Sequence, residues 1–138
     1  MELATGGTGI ATNVSRGCIV ATLQADLDAG MLAELRSQVL GLLQESRARG
    51  VIVDCAAVEV IDGRDFEGLL QFISMAQLMG AQVVLAAVQP GVASALADLG
   101  ADLPRVRGAR SLDDAFALLQ EGSASKGGAS PGRTGRRR

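Results

Sequence analysis

The stretch VIVDCAAVEVIDGRDFEGLL, residues 51–70, decides the fold of this chain. Its first part, Val51–Cys55, is rich in β-branched residues and lacks the strict alternation of a strand with one solvated face. That pattern is typical of a strand buried on both faces, as in a parallel sheet with helices on each side. Residues 62–65 follow as a polar loop, and the spacing then predicts a helix near 65–79, ended by Gly80.

Further strands and helices alternate on both sides of this stretch. The other predicted strands are 10–14, 18–23, 82–88 and 104–107, and the other predicted helices are 28–49, 92–99 and one that begins after Ser111. Asp26 or Asp28 can cap the first helix, and Gly50 is expected to end it. Because βαβ crossovers are right-handed, the order β-β-α-β-α-β-α-β-α predicts an α/β fold: an open mixed β-sheet of four to five strands packed against four helices.

Composition excludes several classes of function. The chain has 138 residues and contains no His, Trp or Tyr. The commonest general base and metal ligand is therefore missing, and a Ser-His or Cys-His nucleophilic site is excluded. Cys18 and Cys55 lie in predicted strands and are interpreted as reduced core residues. The sequence contains no apolar run long enough to span a membrane and no signal-peptide pattern, so we expect a cytoplasmic protein.

Charge is divided unevenly along the chain. Residues 1–121 hold 8 basic and 15 acidic residues, a net charge of −7, whereas residues 122–138 hold 5 basic residues and no acidic residue. The acidic body argues against nucleic acid as the main partner. We expect a flexible N-terminus over 1–9, one domain over 10–121 and a disordered basic tail over 122–138.

The densest acidic cluster, Asp62, Asp65 and Glu67, lies where the second helix is expected to begin. Acidic side chains at that position satisfy free backbone N–H groups and face the positive end of the helix dipole. We therefore predict neither a metal site nor paired catalytic carboxylates. No phosphate-binding glycine motif follows a predicted strand. The sequence predicts no enzyme activity and no cofactor.

The second helix carries two apolar stripes. One stripe, which includes Phe66 and Ile73, is expected to pack on the sheet. The other consists of Phe72, Met75 and Met79, rotated by more than about 90° around the helix from the first. Either neighbouring helices cover this second stripe or it awaits a partner, and Met suits adaptable interfaces. We predict that Phe72, Met75 and Met79, together with Asp62, Gly63, Arg64 and Asp65, bind a partner protein.

Three segments of the sequence resemble a known family. VIVDCAAVEVID (51–62), ISMAQLMGAQVVLAAVQPGVASALADLGADL (73–103) and ARSLDDAFALL (109–119) resemble STAS domains of anti-sigma factor antagonists, and in particular RsbS-type subunits of stressosomes. The resemblance covers most of the predicted domain. It implies the STAS fold and a non-catalytic protein. It also implies other STAS-domain proteins (RsbR-like) and a switch or anti-sigma serine kinase (RsbT-like) as partners, in a homo- or hetero-oligomer.

The same resemblance makes the second helix and its loop unusual. In the family the loop carries a serine that a kinase phosphorylates, and the third helix carries a phosphorylated threonine. The positions that match are Gly63 and Ala95, neither of which can accept phosphate. Ser94 is adjacent to Ala95 but points about 100° away on a helix, and Ser74 and Ser111 lie away from the loop. We therefore expect a partner-binding module without the usual phosphate switch. Two alternatives stay open: a purely structural scaffold subunit of a stressosome-like shell, and a small-molecule or nucleotide-binding STAS protein.

Overall fold

The computed structural model describes residues 9–98 and 106–128, with side chains placed as far as residue 121. Its elements in chain order are β1 (Ile10–Ser15), β2 (Cys18–Leu23), α1 (Ala29–Glu45), β3 (Gly50–Asp54), α2 (Gly63–Leu78), β4 (Gln82–Ala86), α3 (Pro90–Asp98), β5 (Arg107–Ala109) and α4 (Leu112–Gly128). The strands form one sheet in the order β1-β2-β3-β4-β5. Strand β1 is antiparallel to β2, and the later neighbours are parallel. The predicted open mixed α/β fold is confirmed.

The hydrophobic core lies on both faces of this sheet. On one face, side chains such as Val51, Val53 and Leu85 pack with the buried residues of α1, α2 and α3. On the other face, Ile52 and Val84 pack with residues of α4, including Phe116 and Leu119. Strand β3 is therefore buried on both faces, as its unbroken apolar pattern predicts.

Both cysteines are buried free thiols within this core, which confirms their interpretation as core residues. Burial, together with the smaller effect of the Asp54 charge, raises the pKa of the Cys55 thiol to about 12. Burial also raises the pKa of the Cys18 thiol. Neither thiol is therefore activated as a nucleophile at neutral pH.

Three predicted ends of helices are confirmed by their contacts. Asp28 caps α1, because its Oδ1 accepts a hydrogen bond of 2.8 Å from the Met31 N–H. The Ser111 hydroxyl accepts from the Asp114 N–H at 3.1 Å at the start of α4. Gly80 follows α2 with a φ of +92°, a conformation that glycine adopts without steric cost.

The prediction that Gly50 ends α1 is wrong. Helix α1 ends at Glu45 with Ser46 as its C-cap, and Gly50 is the buried first residue of β3. A Cβ on Gly50 would lie only 2.7 Å from Leu119 Cδ1, so any larger residue there would have to displace the Leu119 side chain, because α4 packs over the strand. A close approach between two elements, and not a helix end, explains this glycine.

Other boundaries shift by a few residues. Helix α2 begins at Gly63, so the predicted polar loop 62–65 is an N-cap followed by the first helical turn. Helix α3 begins at Pro90, which suits the first position of a helix. Strand β5 is Arg107–Ala109 in place of 104–107, of which 104 and 105 lie outside the described residues.

Helix α4 continues to Gly128, past the predicted end of the domain at residue 121. The rest of the predicted basic tail, 129–138, and residues 1–8 lie outside the described part of the chain. Among the described helices, none combines the length and the apolar character that crossing a membrane requires.

Candidate protein-binding surface

The first turn of α2 holds four of the residues predicted to bind a partner. Asp62 is the N-cap: its Oδ1 accepts a hydrogen bond of 2.8 Å from the Asp65 N–H, and its carbonyl accepts from the Phe66 N–H at 2.9 Å. Asp62 and Arg64 are exposed, whereas Gly63 and Asp65 are half-buried. All four lie at the accessible surface, at the edge of the sheet where the parallel strands end.

Negative charge is concentrated at this helix start. Loss of hydration raises the pKa of the Asp65 carboxyl, and the charge of Asp62, a side-chain hydrogen bond with Asp62 and the charge of Asp28 raise it further, while Arg64 opposes the shift. No group of three or more His, Cys, Asp or Glu side chains with metal-binding geometry occurs in residues 9–98 and 106–121. The cluster is therefore a negatively charged surface in which a further negative charge is unfavourable.

The segment before α2 is held by side chains from other parts of the chain. Asp26 Oδ1 accepts hydrogen bonds from the Glu59 N–H at 2.7 Å and the Val60 N–H at 3.3 Å. The Gln89 amide donates to the Ala56 carbonyl at 2.5 Å. From the sequence, Asp26 was considered only as a possible cap of α1. Because Asp28 is the cap, the Asp26 carboxylate is available for another contact, which the sequence did not indicate. The start of α2 is thereby fixed relative to β2 and α3.

Val60 is a second residue that the sequence analysis missed. Its side chain is 65% exposed, although it is apolar and lies two residues before Asp62. Both of its neighbours in the chain are held in place, since the Glu59 N–H is bound by Asp26 and Ile61 packs partly against the core. An exposed valine beside a charged helix start adds an apolar contact point to this surface.

The prediction that Phe72 contacts a partner is wrong. Phe72 is fully buried and belongs to the core cluster with Phe66, Leu69 and Ile73. Helix α2 packs on the sheet and against α1 at the same time, so its buried face is wider than one stripe. For Phe72, the alternative that neighbouring elements cover the stripe is correct.

The remaining part of the stripe is accessible at the C-terminal end of α2. Met75 is 41% exposed and Met79 is 47% exposed, and between them Leu78 is 88% exposed. We call Met75, Leu78 and Met79 the α2 patch. Leu78 was not predicted as part of it, although an apolar residue one position before Met79 on a helix surface is a detectable signal. Three adjacent exposed apolar side chains are more than the isolated ones that most surfaces carry.

The two predicted parts of the surface lie at opposite ends of one helix. At about 1.5 Å per residue, the start of α2 at Gly63 is roughly 20 Å from the α2 patch. A single partner would therefore have to lie along the length of the helix to contact both. Helix α3 contributes the other position of interest, where Ala95 is half-buried and the adjacent Ser94 is exposed.

The fold and the sequence define a family. The family model of the STAS domain matches residues 9–115, most of the chain. The chain belongs to the STAS domain family.

Several solved structures share this fold. A structure of RsbS from Moorella thermoacetica is 23% identical and has a TM-score of 0.73, covering 83% of this chain and 97% of that one. A chain from the stressosome, described as a signal integration and transduction hub, is 20% identical with a TM-score of 0.67, covering 82% and 98%.

The anti-sigma factor antagonist SpoIIAA in its unphosphorylated form is 15% identical with a TM-score of 0.63, covering 81% and 96%. A search of curated proteins found no match. At these identities, the likeness to RsbS, the stressosome chain and SpoIIAA establishes the shared fold.

Proposed function

We propose that this chain is a non-catalytic partner-binding protein, an RsbS-like anti-sigma factor antagonist or stressosome component that phosphorylation at the usual positions cannot switch. The observation that carries the proposal is the place of Gly63. It is the first residue of α2, directly after the N-cap Asp62 and at the accessible surface. By its resemblance to the family, this is the position where relatives carry a phosphorylatable serine.

Electrostatics explains why the side chain at this position matters. A phosphoryl group adds about −1.5 to −2 charges at neutral pH. A helix N-terminus attracts negative charge, yet here Asp62, Asp65 and Asp28 already share the site and the pKa of Asp65 is raised. A phosphoryl group added to them would change the charge that a partner meets. Gly63 has no hydroxyl to accept one, so the surface keeps one charge state.

The exposed groups indicate the chemistry of the partners. The start of α2 offers carboxylates and the exposed Val60, which suit a partner surface with basic and apolar groups. The α2 patch offers flexible apolar side chains for a separate contact. Two contact regions on one helix fit a subunit that binds both another STAS protein (RsbR-like) and a serine kinase (RsbT-like), as the family resemblance implies.

A phosphorylation assay tests the proposal. The purified protein is incubated with ATP and a serine kinase that phosphorylates an RsbS-type protein, and intact mass is measured. We expect no added phosphate on the natural sequence. The matched control is the Gly63→Ser variant, which restores a hydroxyl at the first position of α2 and should gain one phosphate mapped to position 63. Phosphate on Ser94 or Ser74 of the natural sequence would contradict the proposal.

The scaffold alternative differs in what the protein does alone. Light scattering after size-exclusion chromatography measures the mass of the protein with and without the kinase. Capture of the kinase by a small oligomer supports the antagonist role. A very large particle that excludes the kinase supports a purely structural role. In that case the Leu78→Ser substitution, which replaces an exposed apolar side chain, should break the particle into smaller species.

A further inference from the structure

A pocket of about 460 Å³ lies at the edge of the sheet opposite the start of α2. Its lining includes Cys18, Gly50 and Gln82, which are the first residues of β2, β3 and β4 and are paired neighbours in the sheet. The pocket therefore opens where the parallel strands begin, whereas Asp62 lies where they end. Its volume is in the range of sites that hold small molecules.

The charge of this pocket is opposite to that of the domain. Arg16, Arg47 and Arg49 line it, and the described residues that line it include no Asp or Glu. Residues 1–121 nevertheless carry a net charge of −7, with only 8 basic residues. Three of these 8 arginines line one pocket and are exposed to solvent, so positive charge is concentrated there on an acidic domain.

Backbone contacts hold the arginine-bearing segments together. The Arg49 N–H donates to the Gly17 carbonyl at 3.2 Å, and the Gln82 N–H donates to the Arg49 carbonyl at 3.0 Å. These bonds join the β1–β2 turn, the segment before β3 and the start of β4. The guanidinium group of Arg16 lies 4.7 Å from the centre of the Phe116 ring, a cation–π contact that restrains its side chain.

Turn geometry places Arg16 at the mouth of the pocket. Arg16 and Gly17 both have positive φ, +54° and +75°, as in the two-residue turns that join right-twisted strands. No atom lies within 4 Å of the place where a Cβ would stand on Gly17 or Gly80. These two glycines therefore leave open space along the lining, to which Leu119 and Cys18 contribute apolar side chains.

We propose that this pocket binds a small phosphorylated compound, with Arg16, Arg47 and Arg49 as the groups that recognise the phosphoryl oxygens. Guanidinium groups bind phosphoryl groups through paired, charge-assisted hydrogen bonds. The pocket lining, as far as the structure describes it, has no aromatic ring on which a base could stack. Recognition is thus of the phosphoryl group and not of a nucleobase. The site lies apart from the surface proposed to bind proteins, so each proposal can fail alone.

The first test localises binding by NMR. Inorganic pyrophosphate is titrated into the ¹⁵N-labelled full chain at low salt, without divalent cations. We expect saturable shifts that are largest at the amides of Gly17, Gly50 and Gly80, and weaker binding as salt is raised. Shifts centred on α2 or spread over the tail, or no saturation at about 10 mM pyrophosphate, would overturn the proposal.

The second test removes charge from the pocket. The Arg47→Ala and Arg49→Ala double variant should bind pyrophosphate at least about tenfold more weakly, because two charge-assisted hydrogen-bonding groups are lost. The matched control, Arg36→Ala with Arg110→Ala, loses the same charge outside the pocket and should bind within about twofold of the natural chain. Equal weakening in both variants would mean a general charge effect and would refute the site. Circular dichroism confirms that both variants fold.

Comparing ligands separates the sources of the phosphoryl group. Pyrophosphate represents free inorganic ligands, glucose 6-phosphate represents organic esters, and ADP tests a base. Saturable binding of pyrophosphate at the pocket supports the proposal, and the affinity of glucose 6-phosphate relative to pyrophosphate shows which source of the phosphoryl group fits better. ADP that binds more than about tenfold tighter than pyrophosphate would show base recognition and would contradict the proposed mode.

Discussion

Replacing Phe72 by alanine measures directly whether this side chain belongs to the core or to a binding surface. Phe72 is 0% exposed and packs among Phe66, Leu69 and Ile73. Phe→Ala changes in a core cost about 3–5 kcal/mol, through lost burial and the cavity that remains. A domain of this size has about 5–15 kcal/mol of stability, so Phe72→Ala should remove a large share of the free energy of unfolding. At about 4 °C per kcal/mol, the melting temperature should fall by roughly 12–20 °C.

The assay is urea unfolding followed by far-ultraviolet circular dichroism, because the chain has no Trp or Tyr for fluorescence. The matched control is Met75→Ala on the same helix, where 41% of the side chain is already exposed. We expect that control to cost about 1 kcal/mol or less. If Phe72→Ala costs as little as Met75→Ala and instead weakens partner binding, the assignment of Phe72 to the core is refuted.

Three further substitutions test other contacts. Asp26→Ala should change the free energy of unfolding by no more than about 1 kcal/mol. Amide hydrogen exchange at Val60 should become faster, because the carboxylate that accepts from this N–H is lost. Unchanged exchange would contradict the role of Asp26. Gly50→Ala should destabilise the fold by about 1–3 kcal/mol through the clash with Leu119, and adding Leu119→Ala should make the glycine change less costly in a double-mutant cycle.

Asp65→Asn should stabilise the protein relative to the natural sequence as pH rises. The folded state raises the pKa of Asp65 and so binds its proton more tightly than the unfolded chain, which means that the natural protein loses stability between the unfolded pKa of about 4 and the higher folded pKa. If the difference between the urea midpoints of the two proteins stays constant across this pH window, the prediction is refuted.

The sequence predicts the sheet well because burial on two faces leaves a simple pattern. Val51–Cys55 is apolar throughout apart from Asp54, and the structure buries β3 against helices on both sides. The caps by Asp28 and Ser111 are also local, since each depends on a side chain and an amide three residues away. Local chemistry and burial on both faces are therefore readable without knowledge of the tertiary structure.

Features that depend on neighbouring elements were not predictable in the same way. Phe72 fits the periodicity of an exposed stripe, and it is buried because α2 packs against both α1 and the sheet. Gly50 follows a helix and so resembles a helix end, yet the side chain that excludes a Cβ there, Leu119, is far away in the sequence. Asp26 likewise accepts from the amides of residues 59 and 60, which lie more than 30 residues later in the chain.

The fold, and not the composition, determines where the charged residues lie on the domain. In parallel strands joined through helices, every strand begins at one edge of the sheet and ends at the other. Arg16 and Arg49 precede strands, and Asp26 and Asp62 follow them, so the fold places these two arginines at one edge and these two aspartates at the other. A net charge of −7 over residues 1–121 hides this separation. The acidic edge suits protein contacts around α2, and the basic edge suits a small anion, so substitutions at one edge should leave binding at the other unchanged.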